Sequence, residues 1–336
     1  MAATYAEAVR GGAMEAGRLH RRLGTQQSLS GAAGSVDVFS AIAELGVPLI
    51  LKPLKNLLGA FLNEPVPGIL VTTERPMSIQ RFTAAHELGH FGLNHQPSLD
   101  DDSILRRMAT AVLESTTDYQ EVEADAFAIA FLMPKWLILF QCQRHGWTIE
   151  ELKRADIVYQ LSLRLGTSYE ATYRTLRRYE LIDGRTMRDL GATAPRDLKV
   201  ALLGDYRPAN YRGDVWLLTD RDAGAQIDGS CNDLFVIRLE ERSGSGYIWS
   251  REQLAASGYV VVRDSNEALD SQTIGSPTMR HLTVSVDEAE RGPVSLSEQR
   301  PWAPSSPLAT ILFKMDFTGP EREGLSRAER RSRLTG

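Results

Sequence analysis

Three residues in the stretch Thr83-Ala-Ala-His86-Glu87-Leu-Gly-His90-Phe-Gly-Leu have types and spacing suited to metal chemistry. A helix turns about 100° per residue, so His86 and His90, four apart, project side by side and offer two imidazole nitrogens to one ion. Glu87, one step round, reaches a water held by that ion. This spacing is the one on which zinc-dependent peptide hydrolysis is built. Neutral imidazoles bind zinc at about 2.0–2.1 Å and leave a position open, and zinc lowers the pKa of its water to roughly 7. A carboxylate beside that water can take its proton as it attacks a carbonyl. Two histidines so spaced are also met as a surface pair or as packing residues. The flanks Phe82, Ala84, Ala85, Leu88, Phe91 and Leu93 are those of a buried helix, which a solvated pair would not need.

A third ligand is expected downstream, in Glu121-Val-Glu123-Ala-Asp125-Ala-Phe-Ala-Ile-Ala-Phe-Leu-Met-Pro134. Ala124, Phe127, Ala128 and Phe131 make an apolar stripe at helical spacing, and Pro134 marks the stop. Glu121 and Asp125 share a face. Glu121 is the expected metal ligand, and Asp125 the carboxylate that orients a ligand histidine through its free ring N–H. Glu123 is the reserve choice. His95 and Tyr119 flank the two segments and are candidates to polarise the scissile carbonyl or hold its oxyanion.

The run Arg81-Phe-Thr-Ala-Ala-His-Glu-Leu-Gly-His, followed by Glu-x-x-Ala-Asp-x-Phe-Ala-x-x-Phe-Leu-Met-Pro, resembles the ImmA/IrrE family of bacterial zinc metallopeptidases. Val36-Asp-Val-Phe and Leu45-Gly-Val-Pro-Leu resemble that family's entry into its first strands, and the resemblance covers roughly residues 15–180. Asp125 stands where the family usually has Asn, and a carboxylate serves the same orienting role. The resemblance implies a cytoplasmic endopeptidase that cuts a helix-turn-helix repressor and so releases genes for stress responses or mobile elements.

The chain has 336 residues, enough for two or three domains with a real core, and its hydrophobic content of 43% and charged content of 24% are those of a soluble globular protein. A net charge of −5 argues against a protein built for bulk nucleic-acid binding. Cys142 and Cys231 lie far apart and form no metal or redox spacing, which suits a reducing cytosol. No signal peptide opens the sequence. Its most apolar early stretch, Val47 to Leu62, is interrupted by Lys52, Pro53 and Lys55, so no membrane span is expected.

Residues 1–24 are expected to be helical, with Gly11-Gly12 as a weak point, and Thr25 to Gly34 to be a loop. Asp37 to Glu44 reads as a short amphipathic helix, and Val47–Leu51 and Gly68–Thr73 as strands. The second strand is either the edge on which an extended substrate pairs or an ordinary internal strand. Gln96 to Asp102 is acidic and turn-like, a solvated loop or a steering element for a basic substrate.

From Thr148 the pattern is helix, Gly166 turn, helix, in outline a helix-turn-helix. Arg174, Arg177 and Arg178 would give its last helix a DNA-contacting face. The acidic net charge weights packing onto the peptidase above DNA binding. Asp183 to Lys199 reads as linker. Beyond it come seven candidate strands, starting at Val215, Leu234, Gly246, Tyr259, His281, Val294 and Ala309, the pattern of a β-sandwich. Ser243-Gly-Ser-Gly246-Tyr247-Ile-Trp249, Gly275-Ser-Pro and Arg300-Pro301-Trp302 resemble in order the three loop motifs of chagasin-type inhibitors of cysteine peptidases. That resemblance spans roughly residues 213–317 and implies an immunoglobulin-like fold. The first loop lacks the Asn-Pro-Thr-Thr through which such inhibitors act, so the fold is expected without the inhibition.

The sequence is therefore read as α+β: a zincin-like helical/β peptidase domain (1–137) with a helix-turn-helix-like unit (138–185), a linker (186–212), an all-β immunoglobulin-like sandwich (213–318) and a disordered tail (319–336). The function expected is zinc-dependent endoproteolysis of a protein partner, a transcriptional repressor, with Zn2+ on His86, His90 and Glu121 and Glu87 as the base. The competing reading is a non-catalytic regulator, DNA-bound or inhibitory, with a vestigial metal site.

Overall fold

Thr4 opens the first helix with a capping box to Glu7, and α1 (Tyr5–Arg22) runs on from it into α2 (Thr25–Ala32) and α3 (Val38–Glu44, capped by Asp37). A computed structural model describes residues 4–32, 34–100, 118–269, 275–287 and 291–335. Three short strands follow, β1 (Leu49–Lys52), β2 (Gly59–Leu62) and β3 (Gly68–Thr72), then α4 (Met77–Leu93), β4 (Ser98–Asp100) and α5 (Tyr119–Leu132). The sheet order is β13-β1-β3-β2-β4, with β1 parallel to β3, β2 antiparallel to both of its neighbours, and β13 (Gly324–Leu325) arriving from near the end of the chain.

α5 is held between α1 and α4, and small residues set both distances. A Cβ on Gly12 of α1 would overlap the Glu123 carbonyl oxygen, so Gly11-Gly12 is a close helix crossing and not a weak point. A Cβ on Gly89 of α4 would lie 3.1 Å from both Ala124 Cα and Phe127 Cβ of α5. His20 of α1 adds a bond from Nε2 to the Phe131 carbonyl at 3.0 Å and stacks on the Phe131 ring with centroids 4.6 Å apart. Burial lowers its pKa and keeps it neutral there.

The helical unit comprises α6 (Lys135–His145), α7 (Ala155–Leu165), α8 (Tyr169–Arg178), α9 (Gly184–Gly191) and α10 (Pro195–Leu203). One apolar core runs through it without a break at 137/138, joining Leu88, Phe127 and Phe131 to Leu161, Leu176 and Leu198. α8 buries Tyr169, Thr172, Tyr173 and Leu176, which favours packing over groove insertion for this helix. α7 faces the sandwich. Gln160 accepts from Leu217 N at 2.8 Å and donates to Val215 O at 2.9 Å, so it occupies the backbone groups of strand 215–218 as a neighbouring strand would. Arg164 is buried against Asp222 at 2.8 Å, an ion pair worth keeping intact because either partner alone would be an uncompensated buried charge.

Residues 215–316 form a two-sheet β-sandwich. β5 (Val215–Leu218), β7 (Leu234–Glu241), β10 (Thr278–Val286) and β9 (Tyr259–Ala268) form one sheet. β6 (Gln226–Asp228), β12 (Ala309–Asp316), β11 (Arg291–Gln299) and β8 (Ile248–Trp249) form the other, with the short helix α11 (Glu252–Ala256) at one side. Trp216, Phe235, Leu282, Leu296 and Phe313 fill the space between them. The α+β class and the β-sandwich are as the sequence leads one to expect, with β6 as an eighth strand too short to carry a periodicity.

Several segments depart from the expectation. Thr25–Gly34, read as loop, contains α2, and the linker 186–212 contains much of α9 and all of α10; their glycines and prolines sit at helix ends, where both are tolerated. The tail 319–336 is not disordered over its described residues. β13 (Gly324–Leu325) pairs with β1, and α12 (Arg327–Thr335) packs on α3 with Ala328 buried, because two apolar residues among many charges suffice where a partner edge is waiting. β3 lies between β1 and β2, so it is the internal strand of the two alternatives. Within Gln96–Asp102, residues 98–100 form β4, while Asp101 and Asp102 lie outside the described residues. Among the described residues no helix is long and apolar enough to cross a membrane. Both cysteines are free, Cys142 buried and Cys231 exposed.

The Gly89 crossing gives the first prediction. Gly89→Ala should cost about 1–3 kcal/mol of stability, the usual penalty for overpacking. Because it pushes α5 from α4, it should also speed metal loss to a chelator. Thermal melting and competition with a chromogenic chelator measure the two effects.

Candidate metal centre

His86 and His90 are fully buried on α4, and their Nε2 atoms face each other at 3.0 Å. From α5, Glu121 brings Oε2 to 3.4 Å from His86 Nε2 and Oε1 to 3.5 Å from His90 Nε2. The three residues offer one ligand atom each within 4.8 Å of one another. A tetrahedral ion with bonds of about 2.0–2.1 Å spaces its ligands about 3.3 Å apart, so the triangle is the right size for zinc.

The outer hydrogen bonds say what those nitrogens carry. His86 Nδ1 lies 2.9 Å from Asp125 Oδ1, and a carboxylate oxygen only accepts, so the ring proton belongs on Nδ1 and Nε2 keeps its lone pair. His90 is fixed through a longer chain. His95 Nε2 donates to Glu123 Oε2 at 2.9 Å, which leaves His95 Nδ1 to accept from His90 Nδ1 at 3.0 Å. His90 Nε2 is then a lone pair as well. Two lone pairs and a carboxylate converging in a buried space repel unless a cation lies among them. A shared proton would satisfy the two nitrogens, but it would not account for Glu121 standing nearly equidistant from both. The donor set fits a divalent metal.

Glu87 is fully buried one step round α4, against β2. At Gly59 of β2 a Cβ would come within 2.5 Å of Glu87 Oε1 and of Thr83 Cγ2. Gly59 therefore makes room for the carboxylate, and Phe61 two residues on lies parallel to the His90 ring at 6.4 Å between centroids. Neither residue was singled out from sequence, where Gly59-Ala-Phe-Leu shows only a short apolar run.

The other candidates are distributed differently from the expectation. His95 does not face the cluster as an oxyanion donor. It is buried behind His90, because Asn94 takes a left-handed cap (φ 55°) and turns the chain back to bond His95 N to His90 O at 3.0 Å. Glu123, the reserve ligand, is the acid behind His95. Tyr119 is the first residue of α5 and is exposed. Asp125 stands behind His86, where the sequence reading has a carboxylate.

Residues 43–177 match a peptidase family model described as the IrrE N-terminal-like domain, and residues 230–316 match that of the Chagasin family peptidase inhibitor I42. Residues 43–177 are thus IrrE-like and residues 230–316 chagasin-like. Similar solved structures include a cysteine protease inhibitor from Entamoeba histolytica, 21% identical with a TM-score of 0.28, covering 32% of this chain and 99% of that one. Amebosin is 20% identical with a TM-score of 0.25, covering 30% and 96%. A Mycobacterium tuberculosis transcriptional regulator is 14% identical with a TM-score of 0.33, covering 82% and 75%. No curated protein matches.

In the chagasin-like half the three loops meet at one end. A Cβ on Gly244 would lie 2.6 Å from Gly275 Cα, and one on Gly246 would lie 2.7 Å from the Trp302 ring. Arg300 stacks over Tyr247 at 4.5 Å, and Trp302 is 72% exposed, a large aromatic left on the surface where the loops converge.

The IrrE-like site predicts a graded response of metal content. Glu121→Ala removes a ligand and should leave the purified protein nearly metal-free. Glu123→Ala breaks only the support behind His95 and should weaken affinity about 10–100-fold while leaving stoichiometry near one at saturating zinc. Elemental analysis with a zinc titration separates the two, and the reverse pattern would make Glu123 the ligand.

Proposed function

We propose that this chain is a cytoplasmic zinc endopeptidase that cuts a protein partner at one or few sites, the partner being a helix-turn-helix repressor whose loss derepresses stress or mobile-element genes. The observation that carries the reading is the pair of imidazole Nε2 atoms, 3.0 Å apart and facing Glu121, with a buried carboxylate, Glu87, beside them. His86, His90 and Glu121 would hold the metal, and Asp125 and the His95–Glu123 pair would fix the imidazole tautomers. Bound there, zinc supplies Lewis acidity that polarises the scissile carbonyl and acidifies a water. Glu87 takes the proton of the attacking water and later delivers it to the leaving amine. Burial between α4 and β2 keeps that carboxylate aimed at one point and away from bulk solvent.

The repressor as substrate rests on the likeness to IrrE-type peptidases. The role assigned to the sandwich is recognition of the partner through its convergent loops. Inhibition of a papain-like enzyme is not assigned to it, because the loop that would enter the cleft is Ser243-Gly-Ser-Gly246 and lacks the inhibitory motif. Against such an enzyme the full chain should show no inhibition at nanomolar concentration in a standard fluorogenic assay; nanomolar inhibition would assign the sandwich the other role.

Glu87→Gln tests the catalytic reading. It keeps shape and hydrogen bonding and removes the base, so it should retain zinc and fold yet lose cleavage by at least ~100-fold. Wild type and variant are mixed with the repressor encoded beside this gene, with and without chelator, and fragments are read by mass spectrometry. Equal cleavage by both removes Glu87 from the mechanism. No cleavage by either, with zinc bound, favours the non-catalytic regulator.

A further inference from the structure

A cavity of about 670 Å³ opens where the helical unit, the sandwich and the C-terminal tail meet, and none of His86, Glu87, His90 or Glu121 lines it. Its volume lies within the range of sites for small molecules, which favour such junctions. Among the helices that begin on its wall are α4 at Pro76–Met77, α8 at Ser168–Tyr169 and α12 at Arg327–Ala328. Each presents the positive end of its dipole there, and α4 has no side-chain cap on its first turn.

The same wall holds Arg81, whose side chain is only 9% exposed. Its Nη2 donates to Ser35 Oγ at 2.6 Å and to Asp228 Oδ2 at 3.2 Å. Its Nε is buried with no acceptor, and Nη1 passes Gly166, where a Cβ would overlap it. A buried guanidinium N–H without a partner is costly, and a guanidinium fork suits a carboxylate or phosphate. The acids on the wall do not cancel this charge twice over, since each already has partners. Asp228 accepts from Ser35 and Arg81, Asp233 from two backbone N–H groups and Trp216 Nε1, Glu321 from Arg327, Asp214 from Tyr159 with Lys199 beside it, Asp37 from Ser40, and Asp316 from Thr318. Burial also pushes Asp233 up to about 6, so it sheds charge under mildly acidic conditions. Tyr159 and Trp216 give the remaining wall a flat apolar surface.

We propose that this cavity binds a small organic oxyanion, a carboxylate or phosphate on a flat apolar body, with the anionic group taken by Nη1 of Arg81, the donor that is neither spent on Ser35 and Asp228 nor sealed as Nε is. The assignment stands apart from the catalytic reading, since it concerns binding at a site that shares no residue with the metal cluster. Arg81 lies on α4 five residues before His86, so an occupant would touch the helix that carries both histidines.

Calorimetric titration of the full chain with phenyl phosphate, benzoate and phenol tests the assignment. At least one of the two anions should bind saturably and phenol should not, and the stronger anion names the oxyanion. Arg81→Met should weaken that binding at least about ten-fold. Asp228→Asn removes the competing charge and leaves Nη2 only neutral acceptors, so it should tighten binding several-fold, whereas an Asp228 that merely staples the junction would not have that effect. Should Arg81→Met fail to fold, the Asp228→Asn result decides alone. Absence of saturable binding by both anions, equal binding to Arg81→Met, or unchanged or weaker binding to Asp228→Asn would overturn the proposal.

Discussion

The approach of α5 to α4 at Gly89 is the constraint on which the rest depends. The His86 and His90 Nε2 atoms stand 3.0 Å apart and the two Glu121 oxygens reach them at 3.4 and 3.5 Å, a spacing that tolerates little error, yet two of these side chains lie on one helix and the third on another. Within a helix, the spacing of four is guaranteed by backbone geometry. Between helices it is guaranteed only by packing. Gly89 over Ala124 and Phe127, with Gly12 of α1 pressing from the other side, leaves α5 no room to slide. α1 touches none of the chemistry and still sets where Glu121 stands.

The second constraint is electrostatic. Burying two imidazoles and two carboxylates in an apolar core is unfavourable unless each polar atom has a defined partner. The structure meets this with two unlike supports. His86 leans directly on Asp125, whereas His90 leans on His95, and His95 on Glu123. Both routes end on a carboxylate carried by α5, the helix that also supplies Glu121. The helix that completes the ligand set thus also selects the tautomers, so its displacement would disturb both at once.

How much of this was legible in the sequence follows from the range of each signal. His86, Glu87 and His90, and the Glu121 and Asp125 face, were visible because helical periodicity is local. The sandwich strands showed for the same reason, through β-branched runs between turns. His95 was visible as a residue but not as a support, since its role depends on the left-handed turn at Asn94. Gly59 carried no sign, because its importance comes from a strand that reaches Glu87 through the tertiary fold. The helices in 186–212 were obscured by glycines and prolines that prove to be terminal, and the order of the tail depends on contacts with residues hundreds of positions away. Local chemistry was read from local pattern; contacts between distant segments were not.

Those distant contacts also bear on how the two halves work together. Adjacent residues on α4 reach different partners. Gln80, fully buried, accepts from Glu321 N at 2.9 Å and donates to Glu321 O at 3.4 Å, while Arg81 bonds Asp228 of the sandwich. Withdrawing the sandwich or the tail would leave a buried amide and a buried guanidinium without these partners, at a cost of a few kcal/mol. The chagasin-like half is therefore fixed to the helix that bears His86 and His90. Its loops are thereby held at a set distance and angle from those two histidines. The connection through α9 and α10, packed as helices, agrees with this: it is built as a bracket and not as a flexible tether.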